Sequence, residues 1–148
     1  MQYRILLVDD DLDNLQSTKC LLQKWGYAVE TADSGDMGIA KVKTAETPFA
    51  LILLDYQMPG KNGAVTAVEL RPLCPESILL MHSGDDSREA LKATLQAGVM
   101  DFIDKDVDMP GFKAKLEQQC RKYEETLRTL RALEPKSSNE ELIASIGM

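Results

Sequence analysis

Residues 49–55, FALILLD, are apolar without a break until the last position, and this pattern limits the fold more than any other stretch of the chain. A strand with one wet face alternates, whereas one that is apolar on both faces must be covered on both. YRILLV at 3–8 and SILLMHS at 77–83 read the same way, YAVETA at 27–32 alternates, and VMDFID at 99–104 is a weaker fifth strand. Longer stretches with helical spacing separate them. The first covers about 12–25, with Leu12, Leu15, Leu22 and Trp25 near one face, and ends at Gly26. Ser34 is placed to cap the second, which runs to about Ala45 and stops before Pro48. The third spans about 63–71 and ends at Pro72. The fourth opens at Asp85 or Asp86 and closes at Gly98, and the last begins near Asp108 with Pro110 in its first turn. Five strands alternating with five helices predict a doubly wound α/β fold, a parallel sheet covered by helices on both sides.

Such sheets bind ligands beyond the carboxyl ends of their strands, at the point where the strand order reverses. Asp9 and Asp10 end the first predicted strand, Asp55 the third and Ser83 the fourth, while Lys105 follows the fifth. All five converge on one rim. Carboxylates crowded there repel: at an effective dielectric of about 20, two charges 5 Å apart cost roughly 3 kcal/mol. Either their pKa values rise or a cation joins them. Hard oxygen ligands with open positions suit Mg²⁺. A carboxylate beside such an ion is also a competent nucleophile toward phosphorus. The charge on a transferring phosphoryl group calls for a cation, a hydroxyl and backbone N–H groups, which Lys105, Ser83 and the adjoining loops supply.

Charge and composition remove other classes. A formal charge of −7 disfavours a nucleic-acid surface, which needs clustered Lys and Arg. No apolar run approaches membrane-spanning length and no signal-peptide pattern opens the chain, so a soluble, cytoplasmic protein is expected. Cys20, Cys74 and Cys120 are odd in number and far apart, which fits neither a disulfide framework nor a zinc site.

LLVDDD at 6–11, LILLDYQMPGKNG at 51–63, ILLMHSG at 78–84 and DFIDK at 101–105, in this order and spacing, resemble the receiver domain of two-component response regulators. The resemblance covers residues 3 to about 122. It implies a flavodoxin-like sheet of order 2-1-3-4-5, with Asp55 as phosphoacceptor and a phosphohistidine kinase as donor. Asp9 and Asp10 match the acidic pair that holds Mg²⁺, and Gln57 the residue whose backbone carbonyl joins them. Ser83 matches the hydroxyl that turns toward the phosphoryl group, Lys105 the lysine that pairs with it, and Phe102 an aromatic that swings inward on activation. The response would be a population shift of the face bearing the fourth helix, fifth strand and fifth helix. Such a domain catalyses only its own phosphorylation and dephosphorylation.

Some positions depart from that family or carry a plainer reading. Asp106 stands where the family usually has Pro, and an acid there could compete for Lys105. Gln57 and Asp85 occupy positions that tune hydrolysis of the acyl phosphate. Asp11 and Asp13 read as capping or solvated residues, and His82 as a packed side chain rather than a phosphodonor. Phe102 reads equally as fixed core. A haloacid-dehalogenase-like phosphatase would need an acid two residues past its nucleophile, where Gln57 cannot donate a proton. A phosphorylation-silent interaction module on the same fold remains the alternative. Dinucleotide binding fails because the first strand leads into DDD and not into a glycine-rich turn.

The last helix outruns the need of a receiver. Phe112, Leu116, Cys120, Tyr123, Leu127 and Leu130 follow a nearly heptad spacing. Residues 1–122 are therefore read as the receiver and 123–134 as a helical extension. A lone helix cannot bury Leu127 and Leu130 against a domain it has left, so a parallel coiled-coil homodimer is expected to cover them. Residues 135–148, PKSSNEELIASIGM, read as a linker or tail. EELIASIGM resembles the stretch ahead of the ATPase domain in enhancer-binding transcription activators, so a separate effector is expected to carry the output. Neither a phosphate-binding P-loop nor a DNA-recognition helix is present in the sequence.

Overall fold

The computed structural model describes residues 2–99 and 101–134. Ten principal elements alternate: β1 Arg4–Val8, α1 Leu12–Lys24, β2 Ala28–Ala32, α2 Gly35–Thr44, β3 Leu51–Leu54, α3 Gly63–Leu70, β4 Ile78–Ser83, α4 Arg88–Gln96, β5 Phe102–Asp104 and α5 Met109–Leu133. The strands form one parallel sheet in the order β2-β1-β3-β4-β5. Fold class, strand order and the long last helix match the expectation.

Side-chain parity within the strands divides the core. Ile5, Leu7, Leu51, Leu53, Leu80 and Ile103 point to one face and pack with Leu15 and Leu22 of α1 and Phe112, Leu116 and Tyr123 of α5. Leu6, Val8, Ile52, Leu54, Leu79 and Met81 point to the other and pack with Ile39 of α2 and Ala67 and Leu70 of α3. Each strand side chain therefore meets a helix on its own side, which is why β3 and β4 tolerate no polar alternation.

Helix starts follow side-chain caps. Asp11, Ser34, Asn62, Ser87 and Asp108 each accept a hydrogen bond from the backbone N–H three residues on. Ser34 was expected in this role, the last helix was expected to begin near Asp108, and Asp11 was expected to cap or be solvated. The expected opening of α4 at Asp85 or Asp86 is corrected to Ser87. Asp85 instead accepts from the Ser87 N–H at 3.0 Å, which shapes the turn ahead of the helix. Pro72 does not end its helix abruptly but sits inside a 3-10 turn, Arg71–Leu73, that continues α3.

The expectation that Leu127 leaves the receiver surface is also corrected. Tyr123 is buried, and Leu127 is half-buried against the cluster shared with α1 and the sheet. Leu130 is half-buried as well, while Leu133 stays 76% exposed. Residues 135–148, read as linker or tail, lie outside the described residues.

Candidate functional site

The sheet order reverses between β1 and β3, so the loops after these two strands diverge to opposite faces and leave a crevice. Asp9 and Asp10 follow β1 at its edge, and Asp55 follows β3. Carboxylate oxygens of all three lie within 4.8 Å of one another. Asp9 and Asp55 are buried, whereas Asp10 is exposed. The rim predicted from the sequence is assembled.

Lys105 bridges the two buried acids, its Nζ lying 2.8 Å from Asp9 Oδ2 and 3.3 Å from Asp55 Oδ2. Burial disfavours the ionised form of Asp9, but Lys105, the Asp11 N–H and the Asn14 amide outweigh it and hold its pKa below the usual carboxylate range. For Asp55, burial dominates. Lys105 opposes it, the Asp9 charge adds to it, and the Asp55 carboxyl titrates above the usual range. Burial also works against the Lys105 ammonium, yet its two carboxylate partners raise its pKa. The pair is thus unequal: Asp9 is the settled anion and Asp55 the strained one.

Ser83 is buried at the end of β4, where its hydroxyl favours the ionised Asp55 carboxylate, and its Oγ accepts from the Asp85 N–H at 3.2 Å. Gln57 is exposed, and its amide donates to Asp85 Oδ2 at 2.9 Å across the mouth of the site. Phe102 is half-buried and packs against the cluster beneath α2 and α3, midway between fixed core and free side chain. Gly63 lets the β3–α3 loop close, since a Cβ there would lie 2.5 Å from the Asp55 carbonyl oxygen and 2.6 Å from Met81 Sδ.

Asp106 does not pair with the lysine. Its side chain is exposed and, among the described residues, forms no ion pair with Lys105; its N–H donates to Asp104 Oδ1 at 2.8 Å. One contributor was missed entirely. Asn14 donates its amide to Asp9 Oδ2 at 2.6 Å. Its signal was its place, one turn into the helix that follows the acidic run.

His82 packs, as expected, but in a particular way. Its ring stacks on Phe112 with centroids 5.0 Å apart and an interplanar angle of 13°, and Phe112 meets Trp25 edge-on at 5.8 Å. The ring lines a cavity of about 10 Å³ shared with Asp9, Asn14, Thr18 and Asp55, and a larger one of about 210 Å³ between α1 and α5. Burial first, and then Lys105, lower its pKa to about 4. The folded-state value lies below the unfolded 6.5, so stability held above pH 6.5 is lost as pH falls toward 4. Relative to His82→Leu, the wild type is expected to lose about 2 kcal/mol between pH 7 and pH 5, in urea midpoints at the two pH values. Equal pH slopes for the two proteins would contradict a buried neutral imidazole.

Fold and rim together define a class: a doubly wound α/β domain whose acidic, lysine-bridged site lies at the strand-order reversal. The family profile described as "Response regulator receiver domain" matches residues 5–117, and the chain belongs to that family. It is 33% identical over 114 residues to the transcriptional regulatory protein ZraR of Escherichia coli strain K12, covering 77% of this chain and 25% of ZraR. The chain thus spans about a quarter of that relative's length. To the two-component response regulator ARR22 of Arabidopsis thaliana it is 31% identical over 113 residues, covering 76% and 77% of the two chains. Among solved structures, a CheY-like response regulator receiver domain protein from Methanospirillum hungatei JF-1 superposes with a TM-score of 0.78 at 32% identity, covering 84% of this chain and 98% of that one. No helix among the described residues is long and apolar enough to cross a membrane.

Proposed function

We propose that this receiver domain accepts a phosphoryl group on Asp55 from the phosphohistidine of a sensor kinase. The observation that carries the reading is the pairing of a strained, buried Asp55 with Lys105 and Ser83 beside two further carboxylates. An Asp55 oxygen attacks phosphorus and the new P–O bond forms as the P–N bond to the donor imidazole breaks. The bonding electrons leave with that nitrogen, which takes up a proton. Lys105 and the Ser83 hydroxyl hold the phosphoryl oxygens, whose charge spreads as the group moves.

Three clustered carboxylates are a hard, all-oxygen donor set, so Asp9, Asp10, Asp55 and the Gln57 backbone carbonyl fit Mg²⁺. When bound there, Mg²⁺ supplies the positive charge that offsets these acids and an incoming phosphoryl group. The reaction modifies the domain itself and turns over no separate substrate. The reading is therefore of a switch, with Ser83 and Phe102 moving and α4, β5 and α5 carrying the change.

Output is proposed to be transcriptional control through an effector outside the described residues, supported by the match to ZraR. A homodimer through α5 would cover Leu130 and Leu133, since the remainder of the apolar stripe is packed on the sheet. The test is direct. The wild-type chain is mixed with Mg²⁺ and a small-molecule phosphodonor, and intact mass and light scattering are read together. The expected result is one added phosphoryl group and the mass of a dimer. No uptake at any donor concentration would leave the silent interaction module as the better reading.

A further inference from the structure

We propose that Asp104 is a positioning residue, whose carboxylate fixes the turn from which Lys105 reaches Asp9 and Asp55. The inference rests on the proposed function and concerns how the lysine is held in place. Lys105 lies in the short link between the end of β5 at Asp104 and the start of α5 at Met109. On its N-terminal side the link is anchored to the sheet, because the Lys105 N–H donates to the Ser83 carbonyl at 3.1 Å. The C-terminal side has no strand beyond it, and Asp104 replaces one. Its Oδ1 accepts from the Asp106 N–H at 2.8 Å, and its main-chain carbonyl accepts from the Val107 N–H at 3.0 Å. Two acceptors of one residue thus close a turn around Lys105.

Physical need explains the device. A lysine has four rotatable bonds, and holding its ammonium between two carboxylates costs side-chain entropy before any bond forms. A mobile backbone would add to that cost. With both flanks fixed, the side chain begins each search from one place and reaches 2.8 Å and 3.3 Å contacts. Asp is suited to the task, because its short side chain folds back onto the N–H two residues on.

Residue 106 shows why this chain differs from the usual receiver pattern. A proline there would stiffen the link through its fixed φ but would have no N–H to donate. An Asp104 clamp and a Pro at 106 are therefore mutually exclusive solutions. Among the described residues, the exposed side chain of Asp106 makes no hydrogen bond or ion pair, and its contribution to the turn is its backbone N–H.

Four variants test the inference: Asp104→Ala removes the acceptor, Asp104→Asn keeps it without the charge, Asp106→Pro removes the donor, and Lys105→Ala supplies the background. Initial rates of phosphoryl uptake are read by intact mass, with Mg²⁺ and a small-molecule phosphodonor. Asp104→Ala and Asp106→Pro are expected to slow uptake about tenfold, in line with the cost of a small misplacement near reacting atoms. Asp104→Asn is expected to stay within about twofold of wild type, and Asp104→Ala to add nothing to Lys105→Ala. A wild-type rate in Asp104→Ala, or the same fractional loss with and without Lys105, would overturn the clamp. Acylation of the Lys105 amine, followed by peptide mass, reads the clamp without phosphorylation. It should be several-fold faster in Asp104→Ala and Asp106→Pro and unchanged in Asp104→Asn. If wild type takes up no phosphoryl group but these labelling rates hold, the functional reading fails and the clamp stands; unchanged labelling with normal wild-type uptake sinks the clamp alone.

Discussion

Asp55→Asn is expected to take up no phosphoryl group under conditions in which the wild-type chain gains one. The substitution is nearly isosteric, so the β3–α3 loop retains its shape and Gly63 its close approach to the residue 55 carbonyl. What changes is the nucleophile: an amide oxygen does not form the acyl phosphate that a carboxylate does. Loss should be complete within the detection limit of intact-mass spectrometry. Asp9 and Asp10, though only a few ångströms away, should not substitute. Asp9 is committed to Lys105, Asn14 and the Asp11 N–H. Stability separates chemistry from damage. Because burial lifts the Asp55 pKa above its unfolded value, the wild-type fold binds that proton more tightly, and acidification through the interval between the two values favours folding. The Asn variant lacks this term and should be at least as stable as wild type at pH 7 without metal. A variant that still gains one phosphoryl group would move the acceptor elsewhere on the chain.

Lys105→Ala is expected to show the other large effect, as a conditional loss of stability. Removing one partner of a buried ion pair typically costs 3–5 kcal/mol, and since the Lys105 side chain keeps 21% exposure, about 2 kcal/mol is expected at pH 7 without Mg²⁺. The cause predicts the conditions that restore it. Asp9 owes its low pKa largely to Lys105, and a depressed carboxylate contributes stability above its unfolded pKa that is lost as pH falls through the folded value. In the variant that contribution disappears and both buried carboxylates repel. The gap from wild type should therefore narrow as pH falls from 7 to about 3, below the unfolded carboxylate value of 3.8, and narrow again on adding Mg²⁺ at pH 7. Urea midpoints under these three conditions decide the matter. A gap indifferent to both pH and Mg²⁺ would mean that Lys105 acts through packing of its stem and not through charge. Phosphoryl uptake should fall as well, because no other cation among the described residues pairs with Asp55.

The sequence revealed the sheet and the rim because both follow from strong local signals. An apolar run such as LILL has nowhere to go but the middle of a sheet, and whatever follows it must lie at the edge. That logic alone puts Asp9, Asp10, Asp55, Ser83 and Lys105 together on one edge of the sheet. It failed where the deciding interaction is tertiary. Asp85, Asp86 and Ser87 are all competent helix caps, and the bond from Gln57 to Asp85 helps to commit Asp85 elsewhere. Adjacency could not decide Asp106, since a neighbour in sequence says nothing of which way a side chain turns. Helical spacing likewise could not tell how far the sheet supports α5, so Leu127 was assigned to a seam when it packs on the core. The stack of His82 on Phe112 joins residues 30 positions apart, and no periodicity in the chain marks it.

Every strand of this sheet runs in one direction and is followed by a helix capped at its start. The five helix N-termini therefore lie on the side of the molecule that carries the strand ends. Aligned peptide units leave roughly half a positive elementary charge at such an end. The acidic crevice is thus ringed by partial positive charge supplied by the backbone alone. This field is short-ranged and screened by salt, so it acts on what enters the rim and not on distant partners. It lowers the cost of gathering carboxylates there, and it favours any anion placed among them.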